Sequence, residues 1–221
     1  MKRPTSVLFD LNGTLLDPRP VGKLLPGPRG EEVVVESLRD AVAQAMVDTL
    51  SGEFRPFVEY LRNALQRQLL LHCMDVGPEL AEDVALAMTT MPPYDDSARA
   101  LRVLHQSDTR VGVLTNSAEG RAREALAHAG LDDQVEVVIS ATDVRAYKPA
   151  TILYGEAVAR LNVEPSDIVL VSAHWWDLAG AKRAGLRTAW VARTETLMPQ
   201  TPSPDDQQTT LSEVAAAIAV A

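Results

Sequence analysis

Two rhythms of apolar and polar positions divide this chain. Across residues 31 to 91, apolar side chains recur every three or four positions, the period of an amphipathic helix. The pattern predicts three helices, roughly 31–50, 54–74 and 78–90, with Leu61, Leu65 and Leu69 on one face of the second. Met91-Pro92-Pro93 closes the block, since the residue before proline leaves the helical region. On either side the rhythm changes. Val7, Leu8 and Phe9 make a short apolar strand that stops at Asp10 and a polar turn, Asn12-Gly13-Thr14. From Asp95 onward helices at 96–107, 118–129, 150–161 and 177–184 alternate with apolar strands at 110–114, 136–139, 167–171 and 187–191. Such alternation predicts an α/β core, a parallel sheet with helices on both faces. Residues 1–17 and 95–221 are expected to form that core, with 18–94 inserted as a helical unit. The Pro- and Gly-rich stretch 18–30 is expected to be a loop, and 198–209 another loop before a terminal helix.

In a parallel sheet, the carboxyl ends of the strands share one edge, where open α/β folds hold ligands. Asp10 ends the first strand and is the candidate nucleophile; equally, an Asp there caps a turn or helix. Thr115-Asn116-Ser117 follows the strand at 110, Lys148-Pro149 opens a helix, and Ser172-Ala173-His174-Trp175-Trp176-Asp177 follows the strand at 167. Each has a plain structural role open to it: Thr115 or Ser117 as a cap, Lys148 as a solvated residue, His174 as a surface histidine. Four polar segments at four successive crossovers point instead to a site.

Composition narrows the classes. A chain of 221 residues can bury a sizeable core and carry an insertion. With 46% apolar and 23% charged residues it has the make-up of a soluble globular protein. A net charge of −9 disfavours nonspecific binding to nucleic acid or anionic membranes, though not a local pocket for a small anion. Cys73 is the lone cysteine, which excludes an intrachain disulfide and fits a reducing cytoplasm. Its place after Leu69, Leu70 and Leu71 suggests a small core residue. No apolar run reaches membrane-spanning length and the amino terminus has no signal-peptide layout, so a cytoplasmic protein is expected.

The motifs Asp10-x-x-Gly13-Thr14, Thr115-Asn116, Lys148-Pro149 and Asp177, in that order, resemble those of the haloacid dehalogenase superfamily. The resemblance implies an aspartate nucleophile, a Rossmann-like core and a helical cap closing over the site. Most members are Mg²⁺-dependent phosphatases, which carry a second Asp two positions after the nucleophile as general acid. Asn12 stands there instead, and a general acid of this kind is worth roughly 10²–10⁴-fold in rate. Ala173 stands where that pattern expects an Asp for Mg²⁺, a cation that wants hard oxygen ligands. A halide leaves without a proton, so both departures favour the L-2-haloacid dehalogenase branch, which uses neither metal nor cofactor.

Residue by residue, that resemblance implies Asp10 as nucleophile, oriented by Thr14, and Lys148 offsetting its charge. Asn116 belongs to the halide cradle, while Thr115 and Ser172 lie where the branch binds the substrate carboxylate or positions the nucleophile. Tyr154 matches a branch tyrosine and Trp176-Asp177 its Trp-Asp pair, with Asp177 holding Lys148 and the hydrolytic water. Asn12 replaces an aromatic residue beside the substrate. His174 stands where many members have Asn; relatives with His pair it with an acidic residue three positions after the nucleophile to activate water. Gly13 occupies that position, so such a pair is broken and His174 is left to act alone or with Asp177. Of the cap arginines, Arg39 is closest in spacing to the one that meets the halide, with Arg55 and Arg62 as alternatives.

The expected activity is hydrolytic removal of halogen from a small L-2-haloacid, giving a 2-hydroxy acid through an aspartyl ester. A phosphatase that tolerates Asn12 and a non-catalytic relative are the alternatives. The expected partner is the small-molecule haloacid; dimers are common in the branch, which leaves a homodimer open.

Overall fold

Strand β1 (Ser6–Phe9) has every residue buried, which only a strand covered on both faces and flanked on both sides can be. In the computed structural model, which describes residues 3–107, 109–199 and 202–220, β1 lies at the middle of a six-stranded sheet. Its neighbours are β2 (Arg110–Thr115) and β4 (Ile168–Ser172), both parallel to it. Beyond β2 lies β3 (Val137–Ser140), and beyond β4 lie β5 (Arg187–Val191) and β6 (Asp206–Gln208). The order β3-β2-β1-β4-β5-β6 reverses direction beside β1, which opens a crevice at the carboxyl edge between β1 and β4. Phe9 is level with Val113 of β2 and Val171 of β4, so Asp10, Thr115-Asn116 and Ser172-Ala173-His174 leave the sheet together.

Helices cover both faces of the sheet. They are α4 (Ser97–His105), α5 (Glu119–His128), the single turn α6 (Ala141–Val144), α7 (Thr151–Leu161), α8 (Trp175–Arg183) and α9 (Leu211–Ala219). Between β1 and β2 the chain forms the cap: α1 (Gly30–Ser51), α2 (Phe57–Leu71) and α3 (Pro78–Ala87). Leu61, Leu65 and Leu69 are buried on one face of α2, as the periodicity predicts.

Three expectations are corrected. The stretch 18–30 holds a 3₁₀ helix, Arg19–Leu24, rather than loop alone. Within 198–209, where Gln200 and Thr201 lie outside the described residues, β6 pairs in parallel with β5. Cys73 is exposed, not a core residue: α2 ends at Leu71, and the chain turns through Cys73 at φ 52. Leu69 points inward there while Leu70 and Leu71 face solvent.

An aromatic cluster joins the cap to the core. Tyr147, just before Lys148, stacks on Phe54 with ring centroids 4.9 Å apart and meets Tyr60 edge-on at 5.6 Å. Its hydroxyl donates to the carbonyl of Arg55 at 2.5 Å, and its backbone N–H donates to the Thr49 hydroxyl at 3.1 Å. Aromatic pairs of this geometry are worth about 0.5–1.5 kcal/mol beyond their buried area.

Candidate active site

Asp10 sits one residue past β1, its backbone N–H bonded to the carbonyl of Val171 at 3.0 Å. The polar turn behind it brings Thr14 back, and the Thr14 hydroxyl donates to Asp10 Oδ2 at 2.7 Å. The N–H of Ala173 fixes that hydroxyl from the far side at 3.0 Å. Lys148 is completely buried, and its Nζ bridges Asp10 Oδ1 at 2.9 Å and Asp177 Oδ2 at 2.8 Å. A buried ammonium is tolerable only with such partners. Asp177 stands in the first turn of α8, and the Tyr154 hydroxyl donates to its Oδ1 at 2.7 Å. Tyr154 reaches it because residue 180 is glycine: a Cβ there would lie 2.6 Å from the tyrosine oxygen.

These contacts set the ionisation states. Burial pushes the Asp10 carboxyl up, but Lys148, His174 and the Thr14 hydroxyl outweigh it and hold it below the usual aspartate value. Burial pulls Lys148 down, and the charges of Asp10 and Asp177 more than restore it. For Asp177 burial prevails over Lys148, and the nearby Asp10 charge adds to it, so its carboxyl is raised. One ammonium thus serves an acidic carboxylate and a more basic one.

The other side of Asp10 is formed by His174, with Nε2 3.6 Å from Asp10 Oδ2. Nε2 also lies 2.9 Å from the carbonyl of Asn12, and Nδ1 lies 2.9 Å from Glu195 Oε1. The imidazole stacks on Trp176, centroids 5.0 Å apart. Glu195, like the cavity-lining Leu38, Val42 and Phe57, carries no motif that marks it in the sequence. His174 was expected to stand alone or with Asp177; its carboxylate partner comes instead from the loop after β5. The available signal was position, since that loop leaves the same sheet edge beside β4.

A cavity of about 20 Å³ opens beside Asp10, walled by Asn12, Thr115, Asn116, His174 and Trp176 from the core. Leu38, Val42 and Phe57 close it from the cap. Asn116 gives its side-chain oxygen to the N–H of Lys148 at 3.0 Å, which leaves its amide hydrogens for the cavity. Asn12 donates to Ser117 Oγ at 3.3 Å, and Thr115 Oγ1 accepts from the N–H of Ser117 at 3.1 Å. A larger cavity of about 510 Å³ lies on the far side of His174 and Trp176, lined by Val35, Arg39, Met46 and Glu195 among others.

Some expected residues stand away from the small cavity. Tyr154 lies behind Asp177 and does not line it. The Ser172 hydroxyl accepts from the N–H of His174 at 3.1 Å and does not line it either. Arg39 borders the larger cavity and donates to Glu36 and to the carbonyl of Thr194. Arg62 pairs with Glu82, and Arg55 lies 3.5 Å from Asp48. None of these arginines lines the small cavity.

Comparison with known proteins places this geometry. A family model described as haloacid dehalogenase-like hydrolase matches residues 5–185. Haloacetate dehalogenase H-2 of Moraxella sp. (strain B) is 28% identical over 201 residues, covering 87% of this chain and 88% of that protein. The (S)-2-haloacid dehalogenase of Xanthobacter autotrophicus is 30% identical over 192 residues, covering 85% of this chain and 75% of that one. The solved structure of L-2-haloacid dehalogenase from Xanthobacter autotrophicus, with chloropropionic acid covalently bound, superposes with a TM-score of 0.88 at 25% identity. It covers 97% of this chain and 98% of that one. With a match spanning most of its length and the strand-end carboxylate in place, the chain belongs to the haloacid dehalogenase-like hydrolases.

Proposed function

We propose that this chain is a hydrolytic dehalogenase of small L-2-haloacids, working through an ester on Asp10. One observation carries the reading: Asp10 is held ionised by donors from Lys148 and Thr14, with the His174 ring 3.6 Å away and an amide, not a carboxyl, at position 12. Such a site supplies a nucleophile without a proton for the leaving group, which suits halide and not an alkoxide. Lys148 already fills the space between Asp10 and Asp177 with positive charge.

In the first step a carboxylate oxygen of Asp10 attacks C2 of the haloacid. The carbon–halogen bond breaks, and halide leaves with its electron pair toward the Asn116 amide. In the second step water attacks Cγ of the ester and restores Asp10. One water proton passes to Asp177, whose raised carboxyl makes it the better acceptor, and from Asp177 to the departing hydroxy-acid oxygen, while the second leaves for solvent as Asp10 returns to its carboxylate. Thr115 and Trp176 line the cavity beside Asp10 that the reacting carbon must reach. On this reading residues 18–94 are the closing unit, 1–17 with 95–221 carry the chemistry, and a reducing cytoplasm is the setting that Cys73 fits.

Halide release from L-2-chloropropionate in EDTA tests the proposal. Activity is expected in the parent chain and a loss of roughly 10³-fold or more in Asp10→Asn. Phosphate release from an aryl phosphate with Mg²⁺, without halide release, would overturn it.

A further inference from the structure

His174 contacts oxygen acceptors on both ring nitrogens. A backbone carbonyl can only accept, so Nε2 must carry the hydrogen of its 2.9 Å bond to Asn12. An ionised carboxylate can only accept, so Nδ1 must carry the hydrogen of its 2.9 Å bond to Glu195. A ring that donates from both nitrogens is an imidazolium. We propose that Glu195 is a positioning residue that keeps His174 cationic through neutral pH, making it the second cation on Asp10 and not the base that activates water.

The surroundings agree. Asp10 Oδ2 faces His174 from the end of β1, and Glu195 faces it from the loop after β5. From its own helix the nearest charge, Asp177, is tied to Lys148. From the cap, Arg39 borders the same large cavity but donates to Glu36 and Thr194. The second oxygen of Glu195 has no hydrogen-bond partner among the described residues, which leaves the ring to compensate its charge. Burial pulls His174 down, but the Glu195 bond and the Asp10 charge outweigh it and raise its pKa from 6.5 to about 9.

Gly13 belongs to the same device. A Cβ at that position would lie 2.9 Å from Nε2 and 3.0 Å from Cε1 of His174. A side chain there would have to move the ring from the place it holds here, and in this chain the carboxylate arrives from residue 195 instead. When Asp10 becomes an ester, its negative charge departs with the halide, while the imidazolium stays. It then lies beside the ester oxygen that gains charge as water attacks, where a fixed cation lowers the barrier.

This inference rests on the dehalogenase reading, and its test separates the two. Imidazole ¹⁵N NMR of the parent chain at pH 7.5 reads the ring without any substrate; both nitrogens of His174 are expected to be protonated. Halide release against pH is then compared in the parent and Glu195→Gln. The parent is expected to hold its rate through neutrality and lose it as pH rises past about 9. In Glu195→Gln that falling limb moves toward neutral pH, with the rate at pH 6 within a few-fold of the parent; Glu195→Asp restores it in part. A neutral His174 ring at pH 7.5 would overturn the proposal even if Glu195→Gln failed to fold. So would a rate that climbs with pH along a limb shifted by Glu195→Gln, the mark of a base. Absence of halide release with an imidazolium present would overturn the dehalogenase reading alone.

Discussion

Asp10 meets a cation on each side, and the two sides are built differently. Lys148 is fully enclosed, bridged between two carboxylates, with Tyr154 backing the second. His174 stands in a wall between two cavities and owes its charge to a carboxylate from a separate loop. The first side is a sealed network in which removing any charged member strands a buried charge. The second is open enough to meet ligand. Enclosure should therefore make the lysine side matter for folding as much as for turnover, and the histidine side mainly for turnover.

The largest effect is expected from Lys148→Met, which leaves Asp10 and Asp177 buried side by side without a cation. Breaking a buried pair costs about 3–5 kcal/mol, so urea denaturation should show a loss of that order, with halide release abolished. Tyr154→Phe removes only the donor to Asp177 Oδ1. A hydrogen bond to a charged group is worth about 1.5–3 kcal/mol, and a loss of that size with KM unchanged would confirm that Tyr154 supports the network and does not touch substrate. Gly13→Ala belongs to the open side. At φ +85 an alanine costs about 1–2 kcal/mol, while displacement of His174 should lower kcat several-fold more than so small a destabilisation explains. Equal loss of stability from all three variants would erase the distinction between the sides.

The same contrast explains what could be read from sequence. The lysine side lies on strand ends and helix starts, where a short apolar run stopping at Asp10 or at Ser172 marks a sheet edge by itself. Asp177 follows such a boundary, Lys148 stands three residues before α7, and the parallel sheet does the rest. Glu195 follows a strand too, but Arg193-Thr194-Glu195-Thr196 has no periodicity to separate it from any exposed loop. Its pairing with His174 is set by how β5 lies beside β4, which is tertiary. Strand β6 was hidden for a related reason: Asp206–Gln208 is polar throughout and is a strand only because β5 offers an unpaired edge. Cys73 was misplaced because an apolar run was read as one face, when the helix had already ended at Leu71. Arg39 matched by spacing alone, and spacing does not say what a guanidinium will bond.

Tyr147, which grips the cap, stands one peptide bond from Lys148. Its ring is clasped by Phe54 and Tyr60, its hydroxyl holds Arg55, and the next residue along the chain is Lys148. Any displacement of these cap residues from the sheet would have to break that stack and that hydrogen bond, one residue from the ammonium beside Asp10. The footing of the cap and the charge balance at the nucleophile therefore share one short piece of backbone.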